Sequence, residues 1–193
     1  TLSDTPSPAR MVLRLLLMAW ALALFGSFMT TGDLATWGRM GSSALLVAAG
    51  LAWYWVVAEL GLTGETRSAA TRYVSCIALG MFFGFIGDLC NAGIIPLPNQ
   101  TMGGIAAFGV GHVFYIIGCL GLGNYLKLDR AASRYGSILV CLACGAGGWY
   151  AVTYSLAEWN IVHWAALPYS LLLAGTVGCA LGLMVQDIGF TPL

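Results

Sequence analysis

The fold is decided by the stretch from Leu79 to Gly118, which reads LGMFFGFIGDLCNAGIIPLPNQTMGGIAAFGVGHVFYIIG. Two long apolar runs flank a short turn, Pro96–Thr101, that carries no charge. The first run contains one carboxylate, Asp88, and the second contains one imidazole, His112. An ionisable side chain inside a lipid-spanning segment is costly unless it is paired or faces a wet cavity. Two such groups on consecutive segments therefore predict a functional site within a transmembrane helical hairpin.

The spacing also predicts how deep the two side chains lie. If the first helix ends near Ile95, Asp88 lies ~10 Å below that end, and if the second begins near Gly103, His112 lies ~13 Å down from the same side. Glycines precede both residues and allow close approach of the helix backbones. Asp88 and His112 are thus expected at similar depth, facing one another or sharing a polar cavity. The alternative is a purely structural Asp–His hydrogen bond that fixes the register of the helices.

Composition places the whole chain in a membrane. Of 193 residues, 59% are hydrophobic and 8% charged, and the mean hydropathy is +0.84. A typical soluble domain has roughly 25% charged residues. The zero formal charge offers no basic surface for nucleic acid. No internal repeat or low-complexity linker divides the chain, so the sequence predicts a single all-α transmembrane helical bundle over residues 1–193.

Six spans are predicted, over about residues 12–30, 41–60, 73–95, 103–124, 135–154 and 164–185. Positive residues concentrate in the loops on one side of these spans, and positive charge marks the cytoplasmic face. The prediction is therefore that the amino terminus and the end at Leu193 are cytoplasmic and that the Pro96–Thr101 turn is external. The basic residues predicted on the cytoplasmic side are Arg10, Arg14, Arg67, Arg72, Lys127, Arg130 and Arg134, with Arg39 alone opposite.

The cysteines do not form a metal-binding pattern. Cys141 and Cys144 have the spacing of a redox or metal pair, but they fall inside a predicted span, where free cysteine behaves as a small hydrophobic residue. No second Cys/His pair lies at zinc-site spacing. The sequence therefore predicts neither a metal nor another cofactor.

At the hairpin the sequence resembles the YhhN, or lysoplasmalogenase-like, integral membrane proteins. Gly87-Asp88, a short turn and then Gly111-His112 followed by Tyr115 match the pattern of that family in order and spacing. Members of the family usually have eight spans, with a Ser-Asp pair on the seventh. The sequence stops at Leu193, just before the position of that helix, so the resemblance implies either a chain whose carboxy-terminal helices are missing or a shortened relative of the family.

The resemblance implies hydrolysis of the vinyl ether bond of a lysoplasmalogen, a membrane lysophospholipid, to a fatty aldehyde and a glycerophospho-alcohol. This reaction protonates the β-carbon of the vinyl ether and adds water to the resulting oxocarbenium ion. The candidate catalytic residues are Asp88 as the acid, His112 as its orienter or as the base for water, and Tyr115 as a hydrogen-bond donor to substrate.

A different class of function stays open from the residues alone. The chain contains 7 tryptophans and 26 glycines, and the final motif of the family is absent. A non-catalytic membrane subunit that packs in a larger complex, beside pigment or quinone, has such features. In that reading Asp88 and His112 are structural, and association with other membrane subunits is expected.

Overall fold

The computed structural model describes residues 7–128, 131–154 and 161–185, in which all regular structure is helical. Six helices are long and apolar enough to cross a membrane, so the chain is a multi-pass membrane protein. The helices are α1 (Pro8–Phe28), α2 (Gly32–Glu59), α3 (Gly64–Asn91), α4 (Gln100–Tyr125), α5 (Ala131–Trp149) and α6 (Ile161–Val185). A five-residue π-helix, Tyr150–Tyr154, extends α5.

The six predicted helices are confirmed, but two of them begin well before the predicted spans. The predicted spans 12–30 and 41–60 leave Asp33 and Arg39 in a loop, yet both lie inside α2, and the connection from α1 to α2 is only Met29, Thr30 and Thr31. The polar segment that begins at Gly64 was also expected to be a loop, and it forms the first turns of α3. These turns extend the two helices beyond their most apolar 18 residues. Leu193 and its predicted position lie outside the described residues.

Local signals set the ends of the central hairpin. Gly93 adopts φ +73°, a left-handed conformation that glycine tolerates best. The amide of Ile94 donates a hydrogen bond to the carbonyl oxygen of Leu89 at 3.1 Å, which closes the end of the helix. Helix α3 therefore ends at Asn91, four residues before the predicted end. The side chain of Asn99 accepts a hydrogen bond from the amide of Met102 at 3.0 Å and caps the start of α4.

The helices are arranged in a row with the spatial order α1, α2, α3, α4, α6, α5. Among the described residues, each helix packs only on its neighbours in this row. Glycines bring the helices together: a Cβ at Gly111 of α4 would lie 2.8 Å from the carbonyl oxygen of Gly80 on α3, and one at Gly178 of α6 would lie 2.7 Å from Cα of Ile138 on α5. This close packing of backbones is typical of membrane helices.

Proline at position 168 lies deeper in its helix than expected. A span that begins at about residue 164 places Pro168 in its first turn or so, where proline is tolerated. In the structure α6 begins at Ile161, so Pro168 is its eighth residue and lies in the helix interior. The helix continues through it to Val185, and the next residue, Tyr169, becomes part of the site described below.

Candidate functional site

Asp88 lies in the last turn of α3, where its half-buried carboxylate faces α2. The hydroxyl of Ser43, on α2, donates a short hydrogen bond to Oδ2 of Asp88. This is the hydrogen bond that Asp88 makes with the described residues, and the other carboxylate oxygen, Oδ1, has no partner among them. Ser43 thus fixes the orientation of the carboxyl group and leaves one oxygen available for a proton or a ligand.

His112 is held from the opposite side, by α6. Its Nδ1 lies 3.1 Å from Oγ1 of Thr176, and that hydroxyl in turn donates to the carbonyl oxygen of Leu172 at 3.0 Å. Because the Thr176 hydroxyl donates its proton to the carbonyl oxygen of Leu172, its Oγ1 accepts the hydrogen bond from Nδ1–H of His112. In the neutral imidazole Nε2 then carries the lone pair, and it has no partner among the described residues.

The two ionisable side chains do not lie at the same depth. Gly87 packs against Phe108, and Gly80 packs against Tyr115. In both pairs the two residue numbers add up to 195, and this relation gives the register of α3 against α4. This register sets Asp88 opposite Ala107 and His112 opposite Phe83, an offset of five residues or ~7 Å along the axis. The depth expected from the sequence was wrong because α3 ends earlier and α4 begins earlier than predicted.

Tyr169 of α6 connects the two levels. Its ring centroid lies 5.7 Å from that of His112 and 6.2 Å from that of Phe108. Phe108 in turn packs on Gly87, the residue before Asp88, whereas α3 and α6 do not pack directly on one another. Asp88 bonds Ser43 and His112 bonds Thr176, so the two make no hydrogen bond to each other, contrary to the structural alternative.

Tyr115 lies on the same face of α4 as His112, one turn further along. Its ring centroid is 5.8 Å from the imidazole in an edge-on arrangement. The ring packs directly on the backbone of Gly80, where a Cβ would come within 2.2 Å of a ring carbon. The hydroxyl of Tyr115 makes no hydrogen bond with the described residues. The glycine thus provides the space in which this phenol is held.

These contacts leave a set of polar atoms that have no hydrogen-bond partner among the residues that the structure describes. They are Oδ1 of Asp88, Nε2 of His112 and the phenol groups of Tyr115 and Tyr169, all on half-buried side chains. Polar groups buried in this way without a hydrogen bond are destabilising. A ligand or water that bonds to them would relieve that cost. The set contains a possible proton donor, a possible base and two neutral hydrogen-bond donors.

Three members of this environment were missed from the sequence: Ser43, Tyr169 and Thr176. Each lies on a helix outside the central hairpin, and each is a common residue in a membrane span, so neither spacing nor composition distinguishes it. The sequence did place Tyr115 on the face of His112, because residues three apart share a helix face.

No cluster of three or more His, Cys, Asp or Glu side chains that could hold a metal ion occurs in the described ranges. All six cysteines are free thiols, and Cys144 of the Cys141–Cys144 pair is exposed. The polar groups that the structure brings together at the site are a carboxyl, an imidazole, phenols and hydroxyls.

Comparison with known proteins yields one match. The family model of the YhhN family matches residues 39–191, which is most of the chain and includes the whole of the site. Neither a curated protein nor a solved structure matches the chain.

Proposed function

Because the chain belongs to the YhhN family, we propose that it hydrolyses the vinyl ether bond of lysoplasmalogens within the membrane. The observation that carries the proposal is the half-buried carboxyl of Asp88, which Ser43 orients through one oxygen while the other oxygen stays available. A vinyl ether is cleaved by protonation at carbon, and a fixed carboxylic acid out of bulk water is the group that this step requires.

In the proposed reaction, the protonated oxygen of Asp88 transfers its proton to the β-carbon of the vinyl ether. A C–H bond forms from the π electrons of the double bond, and positive charge develops on the α-carbon and the ether oxygen. The carboxylate left on Asp88 stabilises this cation electrostatically. Water then adds to the α-carbon, and the resulting hemiacetal breaks at its bond to the glycerol oxygen.

His112 accepts and then donates the second proton of the proposed reaction. Its Nε2 lone pair accepts a proton from the attacking water and returns it to the glycerol oxygen as the hemiacetal breaks. The hemiacetal hydroxyl proton restores Asp88, so one water is consumed and no redox partner is needed. Thr176 keeps the imidazole in the required tautomer by accepting the Nδ1 proton.

The two phenols hold the substrate. Tyr115 and Tyr169 contact the imidazole ring from two helices, and neither hydroxyl has a hydrogen-bond partner in the described part of the chain. We assign Tyr115 to a hydrogen bond with the substrate or the water. Tyr169 lies between the levels of Asp88 and His112, so we assign it to hold the vinyl ether between the acid and the base.

The experiment that tests the proposal is aldehyde release from a lysoplasmalogen in detergent micelles. Asp88→Asn removes the transferable proton but keeps the size and polarity of the side chain, so a loss of at least ~100-fold in rate is expected if Asp88 is the general acid. Asp33→Asn makes the same change at an exposed position in the first turn of α2, and it should leave the rate unchanged.

A saturated alkyl ether lysolipid supplies the substrate control, because it has the same headgroup and chain but no double bond to protonate. It should compete with the lysoplasmalogen without being cleaved. A well-folded wild-type protein that releases no aldehyde from any lysoplasmalogen would contradict the proposal. Full activity of Asp88→Asn would instead contradict the role given to this carboxyl.

A further inference from the structure

At the opposite end of the helices from Asp88, two adjoining clefts open where α2 ends, α3 begins and α4 ends. The larger, of about 730 Å³, lies between α3 and α4, and the smaller, of about 430 Å³, lies between α2 and α3. Arg72 and Ser68 line both clefts, so the two are neighbours with a shared wall and are together called the arginine recess here. A recess of this size can take a small ligand or a lipid headgroup.

The charged groups of the arginine recess do not neutralise each other. Arg67 lines the smaller cleft, Arg72 lines both, and Glu65 lines the larger. In the described part of the chain, neither guanidinium forms an ion pair or a hydrogen bond. Glu65 lies in the first turn of α3, where the helix dipole already stabilises a carboxylate. Two guanidinium groups and one carboxylate among the lining residues leave an excess of positive charge, and Arg134 adds to it because it contacts the lining residue Asn124.

Neutral donors complete the recess. Arg134 donates to Oδ1 of Asn124 at 2.9 Å, which leaves the amide protons of Asn124, a lining residue, free to donate to a ligand. Thr66 and the hydroxyl of Tyr125 bond to each other at 2.7 Å and join the start of α3 to the end of α4 beside the larger cleft. Arginine with neutral N–H donors is the set that binds phosphate oxygens.

We propose that the arginine recess binds the phosphodiester of an anionic phospholipid, with Arg72 and Arg67 as its main contacts. A basic recess between transmembrane helices at the membrane surface is suited to such a headgroup. The negative charge of a phosphodiester with an uncharged alcohol is attracted by the excess positive charge. A zwitterionic headgroup would add a cation to a recess that already has an excess of them.

This site is separate from the proposed catalytic site. Arg72 precedes Asp88 by sixteen residues on the same helix, which corresponds to ~24 Å. In a lysophospholipid, the phosphate and the first chain oxygen are attached to the same glycerol and lie only a few bonds apart. One lipid therefore cannot place its vinyl ether at Asp88 and its phosphate at Arg72, and the recess takes a second lipid, in the opposite leaflet.

The test measures lipid binding to purified protein in neutral detergent micelles at physiological ionic strength. The probes are a diacyl phosphatidylglycerol, the matching phosphatidylcholine and inorganic phosphate. None of them contains a vinyl ether, so the result does not depend on the proposed hydrolysis. Phosphatidylglycerol is expected to bind at least tenfold more tightly than phosphatidylcholine. Inorganic phosphate that binds as tightly as phosphatidylglycerol would assign the recess to free phosphate and overturn the lipid as its ligand.

The variant Arg67→Gln/Arg72→Gln should lose at least tenfold in affinity for phosphatidylglycerol. Arg10→Gln/Arg14→Gln removes the same charge from exposed positions on α1 that line neither cleft. Charges farther away than about 8 Å are largely screened at this ionic strength, so this control should stay within about twofold of wild type.

Equal binding of both lipids, or equal losses in the two double variants, would overturn the proposal. If Arg67→Gln/Arg72→Gln does not fold, Arg67→Lys/Arg72→Lys provides the second variant. Lysine keeps the charge but not the paired donors of arginine, so it should weaken binding less than glutamine but measurably. Wild-type affinity in a folded lysine variant would contradict a direct arginine–phosphate contact.

Discussion

The contact of Tyr115 with Gly80 allows a sharp test of how the site is held. In Gly80→Ala the new Cβ would lie 2.2 Å from Cε1 of Tyr115, whereas carbon atoms in ordinary contact are about 3.5 Å apart. The ring must therefore move by about 1 Å or more. A displacement of that size in a substrate-positioning residue can lower the rate by about 100-fold.

The same substitution should also lower stability, by about 1–3 kcal/mol, which is typical of an overpacked interior. Gly84→Ala is the matched control, because it lies one turn further along α3 and a Cβ there meets nothing within 4 Å. In the control, alanine should be neutral or stabilising by up to about 1 kcal/mol, since it favours the helix over glycine. Aldehyde release and thermal unfolding in micelles measure the two effects.

The Tyr115→Ala variant separates the effect of Gly80→Ala on packing from its effect on catalysis. In Tyr115→Ala the ring is absent, so adding Gly80→Ala should cause no further loss of stability. The reasoning would be refuted if Gly80→Ala unfolded at the same temperature as Gly84→Ala. It would also be refuted if the cost of Gly80→Ala persisted without the ring of Tyr115. Both outcomes are independent of the substrate of the protein.

Three further predictions concern the partners of the site and its orientation. Ser43→Ala should lower aldehyde release about tenfold, because the carboxyl of Asp88 loses the hydrogen bond that orients it. Ser42→Ala should leave the rate unchanged, because among the described residues the Ser42 hydroxyl bonds the carbonyl of Arg39 instead. Equal rates in the two variants would contradict this. Tyr169→Phe should weaken substrate turnover at least fivefold, by loss of a hydrogen bond of about 1 kcal/mol, while Tyr135→Phe, at an exposed ring, should behave as wild type. A cysteine introduced at Asn99 should react with a membrane-impermeant reagent from outside intact cells, and protection there with labelling only after lysis would reverse the predicted orientation.

The sequence was sufficient for the number and type of the helices, because long apolar segments separated by polar residues specify spans by themselves. It was not sufficient for their ends. Asp33 and Arg39 are charged, yet they are helical, because a helix can extend past the hydrocarbon layer and hydropathy does not report where it stops. The end of α3 could have been predicted from the sequence, since Gly93 lies two residues after Asn91, at the position where glycine commonly terminates a helix.

The sequence predicts the site residues of the central hairpin but not their partners on the other helices. Asp88, His112 and Tyr115 are conspicuous because ionisable groups are rare in spans and because Tyr115 shares a helix face with the imidazole. Their partners come from helices that are distant in sequence, and nothing in a single sequence reports which helices pack together. The offset in depth between Asp88 and His112 likewise follows from the packing of glycines on Phe108 and Tyr115.

The spatial order of the helices has a consequence for how the protein matures. Among the described residues, every contact between helices joins neighbours in sequence except that between α4 and α6. Contacts between sequence neighbours form early and locally, whereas those that close a long loop form late. Ser43 and Asp88 can meet as soon as α2 and α3 have left the ribosome and entered the membrane. Thr176 and Tyr169 reach His112 only after α6 has been synthesised and has moved past α5 to dock on α4. A nascent chain therefore carries its oriented carboxyl before its oriented imidazole, and the two halves of the site are joined when α6 docks on α4.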